Sequence, residues 1–191
     1  NAYTSTEQTV YINDIPSNAQ EKWMMIESVR FQELVLRLFH TELETVFEEF
    51  NRGQDNDYRK AGEAMNRAMY KNHPYGTQTT IGTGEHLKNP SMEKIHQYFN
   101  AYYVPNNMAV IMAGDINYDS TIAMVDKYFG SWKAKPVPAF TFKPEAPIAK
   151  ADTLSVYGPM AGWVTMGWRF AGTGTSDPMM LELISGLMSN G

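Results

Sequence analysis

Four glutamates, Glu42, Glu44, Glu48 and Glu49, stand on the stretch from Phe39 to Phe50, and they are the chain's densest set of groups able to do chemistry. Turned at roughly 100° per residue, Phe39, Leu43, Val46 and Phe50 fall within about 60° of arc, which is the apolar stripe of a helix with one buried face. The same rotation sends Glu44 and Glu48 away from that stripe and stacks Glu42 and Glu49, about two turns apart, along its border. A carboxylate at such a border is partly desolvated, so it needs a cation, a hydrogen-bond donor or a metal ion to offset the lost water. Two readings stand: a metal-facing pair at Glu42 and Glu49, or a solvated acidic flank with lysine or arginine neighbours.

The four histidines, His40, His73, His86 and His96, form no metal pair. Helical zinc sites place two histidines four residues apart so that both imidazoles share a face, with a glutamate between them as base. His40 is followed by Thr-Glu-Leu-Glu and His96 by Gln-Tyr-Phe-Asn, so neither H-E-x-x-H nor H-x-x-E-H occurs. His40 and Glu49 would lie about two and a half turns apart on one helix. His73 and His86 fall in loop-like sequence and His96 on a helix surface. Gly82-Thr-Gly84 lacks the preceding strand and following lysine of a phosphate-binding loop.

The elements that must carry these groups can be read in order. Residues 2–15 mix Thr, Val, Tyr and Ile as a strand does, and Asp14-Ile-Pro16 stops it. Ser17 or Asn18 caps a helix running to about Phe39, and the acidic helix begins at Thr41, with a kink or break at residues 53–57 before it resumes through Met69. Residues 73–87 are a loop, Asn89-Pro90 opens another helix, and the apolar run 108–113 suits a central strand. A helix with Ile122, Val125 and Phe129 inward ends at Gly130. Residues 133–150 hold Pro136, Pro138, Pro144 and Pro147 without periodicity, the composition of a semi-rigid linker. Beyond it, residues 152–157 and 162–170 read as strands, and Ser176 or Asp177 caps a helix with Met180, Leu183, Ile184 and Leu187 inward. The expected architecture is α+β, with helices packed on one face of a mainly antiparallel sheet.

At 191 residues and 43% hydrophobic, the chain suits one domain plus part of another. A net charge of −5 without a Lys/Arg-rich run argues against nucleic acid or an anionic membrane surface as main partner. The absence of cysteine excludes disulfides and thiolate metal sites, and is compatible with cytoplasm, periplasm or exterior alike. The run 108–113 is far too short to span a bilayer. The chain starts without methionine, inside strand-like sequence, and ends just after a helix, which reads as a piece of a longer protein.

Several short motifs occur in a telling order: Asn1-Ala-Tyr-Thr-Ser-Thr-Glu-Gln-Thr-Val-Tyr11, His73-Pro-Tyr-Gly76, Ile81-Gly82, Tyr102-Tyr-Val-Pro-Asn-Asn-Met-Ala-Val-Ile-Met-Ala-Gly-Asp115 and Tyr128-Phe-Gly130. Taken with these gaps, the set resembles the insulinase/pitrilysin family of zinc metallopeptidases, which includes the mitochondrial processing peptidases. In that family two histidines of an H-x-x-E-H helix and a downstream glutamate hold the zinc, with a further acidic residue seven positions before that glutamate. The resemblance implies that Glu49 is a zinc ligand and that Glu42 orients the site or balances its charge from behind. It implies that Asn1 and Ala2 lie on a sheet edge where substrate pairs backbone to backbone. It implies further that residues 1–132 are the C-terminal two-thirds of a zinc-site domain, 133–150 a linker, and 151–191 the start of a second, homologous, non-catalytic domain. No direct repeat between the two halves shows this independently.

Three functional classes follow. One is a portion of a zinc endopeptidase that hydrolyses peptides or small proteins, silent by itself because both histidine ligands and the catalytic glutamate lie outside this sequence. Another is a non-catalytic homologue or partner subunit of a processing-peptidase-like complex, working as a homo- or heterodimer. The last is a binding domain with no metal history.

Overall fold

The computed structural model describes residues 1–189, about half of them helical, with one small antiparallel sheet, an α+β chain. It divides into two compact units, one made of Asn1–Gly53 and Thr79–Phe142, the other of Gln54–Gln78 and the chain from Lys143 onward.

The first unit opens with a hairpin where the sequence reads as one strand. Strands β1 (Ala2–Thr4) and β2 (Thr9–Tyr11) pair antiparallel, Ala2 opposite Tyr11 and Thr4 opposite Thr9. The polar Ser5-Thr-Glu-Gln8 stretch interrupts the alternation and turns back on itself, the Ser5 N–H donating to the Gln8 carbonyl at 2.8 Å. Helix α1 (Gln20–Gln32) buries Met24 completely, and ends seven residues before the expected stop. Glu33 is extended and Leu38 takes φ 53°, a left-handed turn that separates α1 from α2 (Phe39–Gln54). Helices α5 (Gly84–Lys88), α6 (Met92–Tyr102) and α7 (Tyr118–Phe129) complete this unit. Side-chain oxygens of Thr83, Ser91 and Asn117 cap their first turns, so α6 starts at Ser91 rather than at Asn89. Helix α7 lies against α1, where Lys127 and Tyr128 reach the Glu21 carboxylate at 2.7 and 3.0 Å. The expected central strand 108–113 has no strand partner among the described residues, and Ile111 is 88% exposed. An apolar run specifies burial only when a neighbouring edge satisfies its backbone.

In the second unit the expected break at residues 53–57 is real. Asn56 begins α3 (Asp57–Met69) by accepting the Arg59 N–H at 3.0 Å. A single turn, α4 (Pro74–Thr77), follows inside the expected loop. Residues 152–157 and 162–170 carry no ladder among the described residues, and the second is exposed at every position but Arg169. Trp163 packs on Tyr58 with centroids 4.5 Å apart, Gly167 faces the sulfurs of Met65 and Met69, and Arg169 bonds the Met69 carbonyl, while Val164, Met166, Trp168 and Phe170 are exposed. Helix α8 (Asp177–Ser189) forms as expected, but Met180, Leu183, Ile184 and Leu187 are exposed rather than inward.

Candidate functional site

Glu42, Glu44, Glu48 and Glu49 all lie on α2, and all four are exposed. Phe39, Leu43, Val46, Phe47 and Phe50 are half-buried, so the stripe exists but is shallower than the spacing predicts. It is covered at its C-terminal end by α5. A β-carbon on Gly84 would meet the Phe50 ring at 3.1 Å, and the Lys88 ammonium sits 5.2 Å from the Phe47 centroid. Glu42 and Glu49 are therefore not set half inside a buried face as the spacing predicts. A partly covered stripe leaves its border in water, so exposure does not separate Glu42 and Glu49 from Glu44 and Glu48. Helical rotation still does, keeping the first two on one side.

Asn1 and Ala2 sit on the hairpin. Asn1 and Ile12 exchange both backbone groups, at 2.9 and 2.8 Å. In an antiparallel ladder the next residue then points its N–H and C=O to the outer edge, and that residue is Ala2. Its N–H is met by the Asn1 side-chain oxygen at 2.8 Å. No hydrogen bond or ion pair among the described residues joins this edge to Glu42 or Glu49.

Among the described residues no three His, Asp or Glu side chains are grouped as a metal site needs. His40, His86 and His96 are exposed on α2, α5 and α6. His73 is committed to its own turn, its Nδ1 accepting the Tyr75 N–H at 3.1 Å. A hydrolytic zinc needs about three protein donors, so this set does not fit the ion by itself.

Three polar groups that the sequence reading passed over organise the second unit. Asp57, 2% exposed, bonds Lys60 at 2.5 Å and accepts the Met160 N–H at 3.1 Å. These two donors, Lys60 first, hold its carboxyl below the ordinary value. Glu145 accepts the N–H groups of Asn72 and His73, and Arg169 binds the carbonyls of Met69 and Ala146. The one available signal was that Glu145 is the sole acidic residue in 133–150, a stretch otherwise supplied with lysines.

The family model described as "Peptidase M16 inactive domain" matches residues 91–191, more than half of the chain. The chain belongs to the peptidase M16 family. Among relatives of this M16 chain, the zinc protease YmxG of Bacillus subtilis (strain 168) is 31% identical over 150 residues, covering 76% of the chain and 36% of the relative. The zinc protease PqqE of Helicobacter pylori is 28% identical over 127 residues, 64% of the chain and 28% of the relative. The mitochondrial-processing peptidase subunit beta of Neurospora crassa is 23% identical over 164 residues, 83% of the chain and 32% of the relative. The M16 chain thus spans about a third of the length of these curated relatives. Among its described residues no helix is long and apolar enough to cross a membrane.

Proposed function

We propose that this M16 chain is a portion of a zinc-dependent endopeptidase acting on peptides or small unfolded proteins. The observation that carries the reading is the family match together with two carboxylates, Glu42 and Glu49, on one side of α2. In the whole peptidase Glu49 ligates zinc and Glu42 orients the site or balances its charge, while two histidines and a glutamate base come from residues outside this sequence. Bound there, the ion would polarise water and the scissile carbonyl. What this chain contributes is a carboxylate at a fixed helical position and, at Ala2, a backbone edge for a guest strand beside Asn1. Residues 1–132 belong to the zinc-site domain, whose helices pack on one face of a mainly antiparallel sheet; 133–150 connect it to a second, non-catalytic domain beginning at 151.

A second reading, a non-catalytic subunit dimerising with a homologous chain, draws on the description of the matched family model as an inactive domain. One experiment separates the two. In the full-length gene product, zinc content and cleavage of an unfolded peptide are measured for Glu49→Gln, with Glu48→Gln as the control on the opposite side of α2. Loss of both properties in Glu49→Gln alone supports the endopeptidase. A wild-type product with neither property points to the subunit, and equal tolerance of both substitutions sinks the role given to Glu49.

A further inference from the structure

The Pro-rich segment after Phe142 is fastened around Glu145. Glu145 is 12% exposed, and its Oε1 accepts the backbone N–H of Asn72 at 2.5 Å and of His73 at 2.8 Å. The Asn72 side-chain amide lies 3.4 Å from Oε2 while also reaching the Pro144 carbonyl at 3.3 Å. Consecutive N–H groups converging on one point make a concavity for an anion. Arg169, 16% exposed, stands 3.8 Å from Oε2 and binds the carbonyls of Met69, at the end of α3, and of Ala146, next to Glu145. The contacts close a ring from α3 through Arg169 to the segment, and through Glu145 back to the turn before α4. Pro144 and Pro147 flank the carboxylate and restrict the backbone on either side, so fixing one side chain fixes several residues.

We propose that Glu145 is a latch: its carboxylate fills a small anion cradle, formed by the Asn72 and His73 amides and Arg169, and thereby straps the Pro-rich segment to the turn between α3 and α4. Without Glu145 the cradle accepts a free carboxylate of similar size, while the strap comes loose.

Residue-resolved hydrogen exchange of the chain with Glu145→Ala tests this. Amides 72 and 73 should exchange about ten-fold faster or more, as loss of a charge-assisted hydrogen bond implies, with residues 118–129 of α7 unchanged. Limited proteolysis should gain a cut within residues 143–147. Sodium formate should restore protection at 72 and 73 in this variant, but not the uncut segment, and sodium chloride at equal ionic strength should restore neither. If Glu145→Ala also loosens α7, the isosteric Glu145→Gln decides: local loss at 72 and 73 supports the latch. Unchanged exchange in Glu145→Gln and Glu145→Ala overturns it, and so does a formate response no greater than that to chloride.

Discussion

The Gly158 backbone rests directly on the Asp57 carboxylate, so closely that an added β-carbon would stand 2.0 Å from Oδ1. That approach lets the next loop residue but one, Met160, donate its N–H to the same carboxylate at 3.1 Å. Gly158→Ala should cost about 1–3 kcal/mol, the range of overpacking a filled site. Gly162, which has nothing within 4 Å, provides the control, and Gly162→Ala should stay within about 0.5 kcal/mol. Urea unfolding of both variants measures the difference, and equal midpoints would remove Asp57 from its place under the loop.

Leu38 supports a second stability prediction. Its φ of 53° lies in the left-handed region and its side chain is 80% exposed, so the residue carries backbone strain with little burial in return. Leu38→Gly should raise stability by about 0.5–1 kcal/mol, since glycine adopts this conformation without a β-carbon penalty. Leu36→Gly, at a half-buried neighbour, should lower it. Thermal denaturation of the two variants gives the signs directly.

The second unit should weaken in acid. The Lys60 ammonium, followed by the Met160 N–H, keeps Asp57 below its ordinary 3.8. Burial alone would raise Glu145, but the amides of Asn72, His73 and Lys71 and the Arg169 charge outweigh it and hold it below 4.5. Depressed folded-state values mean that the unfolded chain takes up protons first. This stabilisation is complete above the ordinary values and is lost as pH falls through the lower folded ones. The denaturation midpoint should therefore be steady down to about pH 5 and drop below it, with a shallower drop in an Asp57→Asn, Glu145→Gln double variant. An identical pH profile in the double variant would contradict the assignment.

On the proposed reading the chain as it stands should be catalytically silent, because Glu49 would be its single zinc ligand where about three are required. Calorimetry at neutral pH should find no tight stoichiometric zinc site, and unfolded peptides should show no chelator-sensitive cleavage. Zinc-dependent cleavage abolished by Glu49→Gln would return His40 and His73 to consideration as ligands. On the same reading, Glu42→Gln in the full-length product should cost about 10- to 100-fold in peptide cleavage, as loss of a group behind a metal ligand often does.

What could be read from the sequence was whatever neighbours in sequence decide. The α2 stripe, the break before Asp57, the glycine stop of α7 and the start of α8 all depend on residues within a turn or two of one another, whereas Ile122 of α7, expected inward, is exposed. The extended stretches 108–113, 152–157 and 162–170 were read as strands because their apolar content suits one, but a strand also needs a partner edge that no local pattern supplies. Likewise, four prolines make 133–150 look like a free linker, and nothing near Glu145 in sequence shows that its carboxylate belongs to amides some seventy residues earlier. Glu42 and Glu49 were legible as a pair by rotation, whereas their exposure depended on how much of the stripe α5 covers.

The hairpin has a consequence for how a guest peptide would be measured out. Because Asn1 spends both backbone groups on Ile12, the outward backbone groups fall only at alternate residues, Ala2, whose N–H a guest would take over from the Asn1 side chain, and then Thr4. A guest strand on that edge cannot slip by one residue without losing its bonds and turning every side chain to the opposite face. It can advance only in steps of two. On the proposed reading the edge acts as a ruler with a two-residue graduation, so alternative cut sites in one peptide should share a parity whatever the side chains at the cut.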